Sequence, residues 1–382
     1  MNKYIKNSGI VVILLVELIL SSCQKPALNV RDLHAPVIIS TENINFFRNN
    51  FLPVPMSDSL TWMEDISLNS TTTSTLCAKG GNLVFTTHNG FLYTLNGKTF
   101  NQKQNTKIGK WMNSAPTILD GMAFISGSTG KYGLIAYDLF RGKVVWKEYG
   151  DFSDGAPVVF DGYVYHLTSE GKISILEKRT GKKVKTLYLE HDPVGSIAGN
   201  GEKLIAACRD GYLVCYDLKT AGQIWNLNLG APIYNSPVFV NDSLVVVGNY
   251  LGKVAAINVQ TGRILWQQKT NGNILNPLSA DGERIYVPTS NGRISALSVR
   301  SGALQWSYQT QTPPCVPMLV TRGKLWIGTS HKWLHILDKS NGKEIRSILL
   351  PGRPSSMPAF INHHMVIGIE FRELAVYEVR HE

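Results

Sequence analysis

Cysteine is scarce in this chain: five in 382 residues, at positions 23, 77, 208, 215 and 315, with no two adjacent. So few, without a regular spacing, do not make a disulfide framework. The N-terminal apolar run, Gly9 to Leu20, is too short to span a bilayer comfortably. No Lys/Arg-rich run with interleaved aromatics occurs, which argues against nucleic-acid binding. Nucleophile elbow, phosphate-binding glycine loop and paired carboxylates at a defined spacing are all absent, so the common hydrolytic and phosphoryl-transfer chemistries have no visible carrier. His331 and His335 are four apart, but the first falls on a turn and the second in a strand, so extended geometry separates them and no metal site is expected. The net charge of +10 is modest and fits solvation spread over the surface, an acidic partner or an anionic membrane surface.

Against these absences stands a repeat. Gly142-Lys-Val-Val-Trp146, Gly262-Arg-Ile-Leu-Trp266 and Gly302-Ala-Leu-Gln-Trp306 are copies of one phrase, with weaker copies at Gly181, at Ala221-Gly222 running on to Trp225, and at Gly342. The glycines at 142, 181, 222, 262, 302 and 342 stand 39 to 41 residues apart. A period near 40 means one supersecondary unit copied many times. The block from Asn235 reads as four short strands, Ser236 to Val240, Leu244 to Gly248, Val254 to Val259 and Arg263 to Gln268, each bounded by Asn, Asp or Gly turns. Four antiparallel strands repeated radially make a propeller.

The third strand recurs around Leu95, Tyr137, Leu176, Tyr216, Ile257, Leu297, Leu337 and Tyr377, which predicts eight blades. The eighth stops at Val379 without a fourth strand. Leu60 to Leu68, carrying Trp62, is expected to supply it and close the ring. Gly142, Gly262 and Gly302 with Trp62, Trp146, Trp225, Trp266 and Trp306 are expected to be blade-docking residues, an indole wedged on the next blade where a glycine admits it. Lys185 and Arg346 occupy the tryptophan slot in blades three and seven, and blade one has no clear Trp, so those junctions are expected to be looser.

At the N-terminus Lys3 and Lys6 precede the apolar run, which ends Leu20-Ser21-Ser22-Cys23. This is the shape of a secretory signal over residues 1–22. Its ending resembles the bacterial lipobox, which implies lipidation of Cys23. Gln24 stands where an inner-membrane retention Asp would, so the resemblance points to the outer membrane, facing the periplasm. Residues 23–58, with Pro26, Pro36, Pro53 and Pro55 and no repeat pattern, read as a tether to a propeller at 59–382.

Ala136-Tyr137-Asp138, then Gly142 and Trp146, resembles the docking motif Ala-x-Asp-x-x-x-Gly-x-x-x-Trp of quinoprotein alcohol dehydrogenase-like propellers. The resemblance covers about residues 60–380. Within that superfamily, lipobox, length and eight bare blades resemble the BamB family of outer-membrane assembly lipoproteins. That implies a non-enzymatic scaffold with no cofactor, whose partners are the outer membrane and a β-barrel assembly subunit. In that family the connections between blades three and four and between four and five are implicated in docking, and they tend to be extended; here Leu189 to Gly199 and Asn228 to Ser236 are short. Two alternatives remain: an envelope lipoprotein that binds a small molecule, a glycan or another protein, and a quinone-dependent enzyme. The enzymes of the superfamily imply an adjacent cysteine pair and calcium ligands in a much longer chain; here no two cysteines are adjacent and no insertion between repeats is long enough to build a substrate funnel.

Overall fold

The computed structural model describes residues 48, 50–72, 75–100 and 103–380. Every regular element among them is a β-strand, and the strands form eight four-stranded antiparallel sheets. Seven sheets are continuous in sequence: blades 1 to 7 span 77–107, 117–149, 158–188, 193–228, 238–269, 279–309 and 319–349. Blade 8 takes three strands from 359–379 and its fourth, Leu60–Ser67, from the start of the body. Leu60 pairs with Val379 and Ser67 with Glu373, with a bulge between Trp62 and Glu64. The expected ring closure is therefore present. We call the strands of each blade a to d in chain order, with Leu60–Ser67 as strand d of blade 8.

Burial explains why the sequence pattern varies within a blade. In blade 5, strand a is Val238–Asn241, b is Leu244–Gly248, c is Lys253–Asn258 and d is Ile264–Lys269. Strand b is buried at every position, because both faces of the sheet are covered by neighbouring blades. Strand d alternates between half-buried and exposed, as an outer strand with one wet face must. The a strands of successive blades approach one another and so line the axis. Antiparallel order then puts the blade connections and the b–c turns on one face of the ring, and the a–b and c–d turns on the other.

The segment before the ring is seated within it. Arg48 is fully buried, its Nε donating to Ile197 O at 3.1 Å and its Nη2 to Ala156 O at 3.0 Å, in and beside the a strands of blades 4 and 3. Buried Asn50 donates from Nδ2 to Ser279 Oγ in blade 6 at 3.1 Å. Leu52 N donates to Val320 O at 2.8 Å, and Val320 N to Asn50 O at 2.9 Å, in blade 7. Farther on, Lys324 Nζ donates to Met56 O at 2.9 Å and pairs with Asp58. These partners surround the axis, so the chain at Arg48 and Asn50 runs along it. The tether expected over 23–58 therefore gives way to packed chain by Asn50, before its expected boundary.

Candidate functional site

The repeated phrase has a definite geometry. In blade 2, Asp138 Oδ1 accepts from the backbone N–H groups of Phe140 (2.9 Å) and Arg141 (2.8 Å), closing the c–d turn. Gly142 then takes φ +64°, a left-handed conformation in which Cβ is costly. The Trp four residues later turns toward the next blade. Trp146 Nε1 donates to Lys178 O at 3.0 Å, and a Cβ on Gly181 would lie 2.5 Å from the indole. Trp225 repeats this on Val259 O and Gly262, Trp266 on Val299 O and Gly302, and Trp306 on Lys339 O and Gly342, with hydrogen bonds of 2.9 to 3.0 Å. Each indole buries its face on a glycine and satisfies one turn carbonyl, joining apolar area and a hydrogen bond in one contact.

Two placements differ from the sequence reading, those of Trp62 and Ala221, while Lys185 and Arg346 fill the tryptophan slot as expected and make other contacts there. Trp62 does not dock: it is 55% exposed and its Nε1 bonds Asp65 on its own strand, because it pairs with Tyr377, two residues off the docking slot, which Glu64 fills opposite Val376 as Trp146 does opposite Ala136. In blade 4 the left-handed residue is Ala221 (φ +52°) rather than Gly222, four residues before Trp225 as the phrase requires. At the junction of blades 3 and 4, Lys185 Nζ donates to Thr220 O at 3.3 Å and Ala221 O at 3.2 Å, so an amine replaces the indole. Arg346 instead reaches Asp58 O at 3.1 Å in the N-terminal segment.

The cysteines are separated. Cys215 pairs with Ile205, not with Ala206 as a two-residue loop would give, because the turn uses three residues, 209–211. Cys208 packs toward blade 3 and Cys215 toward blade 5, and burial pushes both thiols up to about 12. Cys77 Sγ donates to Pro116 O at 3.3 Å and Cys315 Sγ to Pro354 O at 3.5 Å, each across a blade boundary. His335 Nδ1 lies 3.0 Å from Glu344 Oε2 and makes no cluster with His331. Among the described residues no three His, Cys, Asp or Glu side chains converge on a metal site. With the thiols apart and Arg48 and Asn50 on the axis, the residues present do not fit the quinone of the superfamily's enzymes. Cys23 lies outside the described residues.

The connection face carries an uneven charge that sequence reasoning missed. Around blades 3 and 4 it presents Asp154, Glu190, Asp192 and Asp210. Arg209 Nε meets Asp192 Oδ2 at 3.0 Å, and His191 Nδ1 meets Asp210 Oδ2 at 2.6 Å while stacking on Tyr212 at 3.9 Å between centroids. Tyr188 stands 70% exposed beside them. A small cavity of about 110 Å³ opens between Asp154, Thr168, Asp192 and Arg209. The connections at 229–237 and 270–278 and the b–c turns at 249–252 and 289–292, in blades 4 to 6, contain no charged residue at all. Only grouping the connections by face could have found this, and that needs the register of every blade.

Comparison with known proteins places this geometry. The profile of the family described as "Outer membrane protein assembly factor BamB" matches residues 55–200 and 209–360. The assembly factor BamB of Escherichia coli K12 is 26% identical over 185 residues, 44% of this chain and 46% of that relative. The chain spans about half to under two thirds of the length of the curated relatives it matches first. Among solved structures, BamB from Moraxella catarrhalis superposes with a TM-score of 0.68 at 18% identity, covering 84% of this chain and all but 1% of that one. A europium-containing methanol dehydrogenase superposes with a TM-score of 0.78 at 12% identity over 91% of this chain and 99% of its own. At those identities the structural likeness is one of fold, shared by assembly factors and quinoprotein enzymes alike. The family match covers most of the ring, and the chain belongs to the family of outer membrane protein assembly factor BamB.

Proposed function

We propose that this protein is a non-enzymatic scaffold of the outer-membrane β-barrel assembly machinery, aiding insertion of β-barrel proteins. It is held by lipid on Cys23 to the periplasmic face of the outer membrane. The ring supplies a rigid platform, and its connection face at blades 3 and 4 docks the barrel-forming subunit. The observation that carries the docking assignment is the cluster of Asp154, Glu190, Asp192 and Asp210 beside exposed Tyr188, on a face whose connections and b–c turns at blades 5 and 6 are uncharged. Oppositely charged patches steer encounter and fix register, while an exposed aromatic provides an anchor. The connections there are short, only 189–192 between blades 3 and 4, so recognition rests on a preformed rim rather than on a loop that folds around the partner.

The test is co-purification of the full chain from mild detergent. A barrel-assembly subunit should be recovered with the native protein and lost with Asp154→Lys/Asp192→Lys. A native preparation that brings down no protein but holds a small molecule would refute the scaffold reading. Palmitate labelling that persists in Cys23→Ala would refute the anchor.

A further inference from the structure

Blade 2 departs from the repeat at its b–c turn. The turn runs 127–131, five residues, where blades 1, 3, 5, 6 and 7 use four and blades 4 and 8 use three. The ladder then shifts register between Tyr132 and Leu134, at a glycine whose Cβ would fall 1.7 Å from Gly150 O. Such bulges re-aim side chains. The lengthened turn is tied to the blade 1–2 connection by a bridge between Trp111 and Thr129 and by Ser128 N donating to Trp111 O at 2.9 Å. Between turn and connection lies a cavity of about 580 Å³, within the range of small-molecule sites.

Its chemistry is one-sided. Lys107, Lys110 and Lys131 line it, and no carboxylate does. Lys131 Nζ sits 5.7 Å from the centroid of Tyr132 and 5.4 Å from that of Tyr149, and Lys147 Nζ sits 4.2 Å from Tyr132. These cation–π contacts hold the amines in place without neutralising them. The acids of the same blade edge, Glu148 and Asp151, are taken by Lys183 at 2.5 and 2.9 Å. Like charges gathered around a cavity repel one another and raise the local concentration of anions. At its edge Trp111, one face of which stacks on His88 at 5.0 Å between centroids, is 44% exposed and Tyr149 is 65% exposed, which leaves ring surface open to a ligand.

We propose that this cavity binds an anionic saccharide, the lysines taking its phosphate or carboxylate and Trp111 or Tyr149 the face of the sugar. The site adjoins the acidic rim at Asp154, which accepts from Asn113 Nδ2 at 2.9 Å, but does not depend on the assembly reading. The ligand could come from a phosphorylated lipid-linked sugar or from a carboxylated wall glycan, and the test separates them. Isothermal titration of the full chain in detergent would use glucose 6-phosphate, glucuronate, glucose and inorganic phosphate. Saturable binding of glucose 6-phosphate or glucuronate, with glucose at least tenfold weaker, supports the site, and the tighter of the two anions names the source. Lys110→Glu/Lys131→Glu should raise Kd at least tenfold and Trp111→Ala several-fold, while Lys98→Glu on the opposite face leaves it unchanged. Unchanged circular dichroism of the variants would establish that they fold. Inorganic phosphate binding as tightly as the sugar phosphate, with no effect of Trp111→Ala, would reduce the site to a plain anion patch and overturn the proposal. So would the absence of saturable binding by all four.

Discussion

Blades 5 and 6 and the pair formed by blades 3 and 4 are written in the same repeat and finished differently. At the junctions leaving blades 5 and 6, Trp266 and Trp306 lie on Gly302 and Gly342 and bond the turn beneath. The connections and b–c turns there are uncharged. At the junction of blades 3 and 4 a lysine amine replaces the indole, an alanine occupies the left-handed position, and the rim carries acids with an exposed tyrosine. The first pair spends its sequence on cohesion. The second gives up some cohesion where the surface is charged, which is where a partner is proposed to dock.

The largest effect should come from breaking a complete latch. Trp306 is buried, so Trp306→Ala should cost about 3–5 kcal/mol in urea unfolding. Lys185→Ala, at the lysine junction, should cost less than about 1 kcal/mol, since its partners stay solvated. Equal costs would mean that the indole is not what binds blades together.

Next in size is a pH effect confined to the blade 3 side. His166 is fully buried, neither ring nitrogen has a partner among the described residues, and burial holds its pKa down at about 4. The charges that act on it are Asp151, which favours the imidazolium, and Lys183, which opposes it. The unfolded imidazole, at 6.5, binds protons more readily, so the native state is favoured above pH 6.5 and loses that advantage as pH falls toward 4. The fall should amount to roughly 3 kcal/mol. His166→Leu should flatten the profile in this window, because it removes the group whose proton uptake differs between the native and unfolded states there. An unchanged profile would remove His166 from the account.

A smaller loss, about 2 kcal/mol, is expected for Arg48→Ala, which deprives Ile197 and Ala156 of a charged donor on the axis. The smallest belongs to Asp192→Lys: within about 0.5 kcal/mol in stability, because Asp192 is a surface residue. Its effect should appear in partner recovery instead, which separates a docking rim from a packing one.

Blade number, strand order and ring closure were legible because a 40-residue period and Gly/Asn/Asp turns are local signals. The latch was legible too, since spacing alone puts glycine and tryptophan four apart. Ala221 was hidden because glycine is the expected left-handed residue and Gly222 stands next to it; only the offset to Trp225 marks the right position. The seat of Arg48 and Asn50 was hidden because their partners lie 108 to 229 residues away and a proline-containing stretch without repeats reads as linker. Trp62 misled because strand register, which composition does not show, puts Glu64 in the docking slot and Trp62 two residues off it. The charged rim and the lysine cavity are collections of turn residues from different blades, and no single stretch announces either.

Docking is proposed at blades 3 and 4 of the connection face rather than at the uniform blades. A photo-crosslinking residue placed at Tyr188 (70% exposed) and, separately, at Leu265 (54% exposed, on the outer strand of blade 5) tests it directly in intact envelopes. A crosslink from position 188 to a barrel-assembly subunit is expected, and none from 265. A crosslink from 265 with silence at 188 would contradict it.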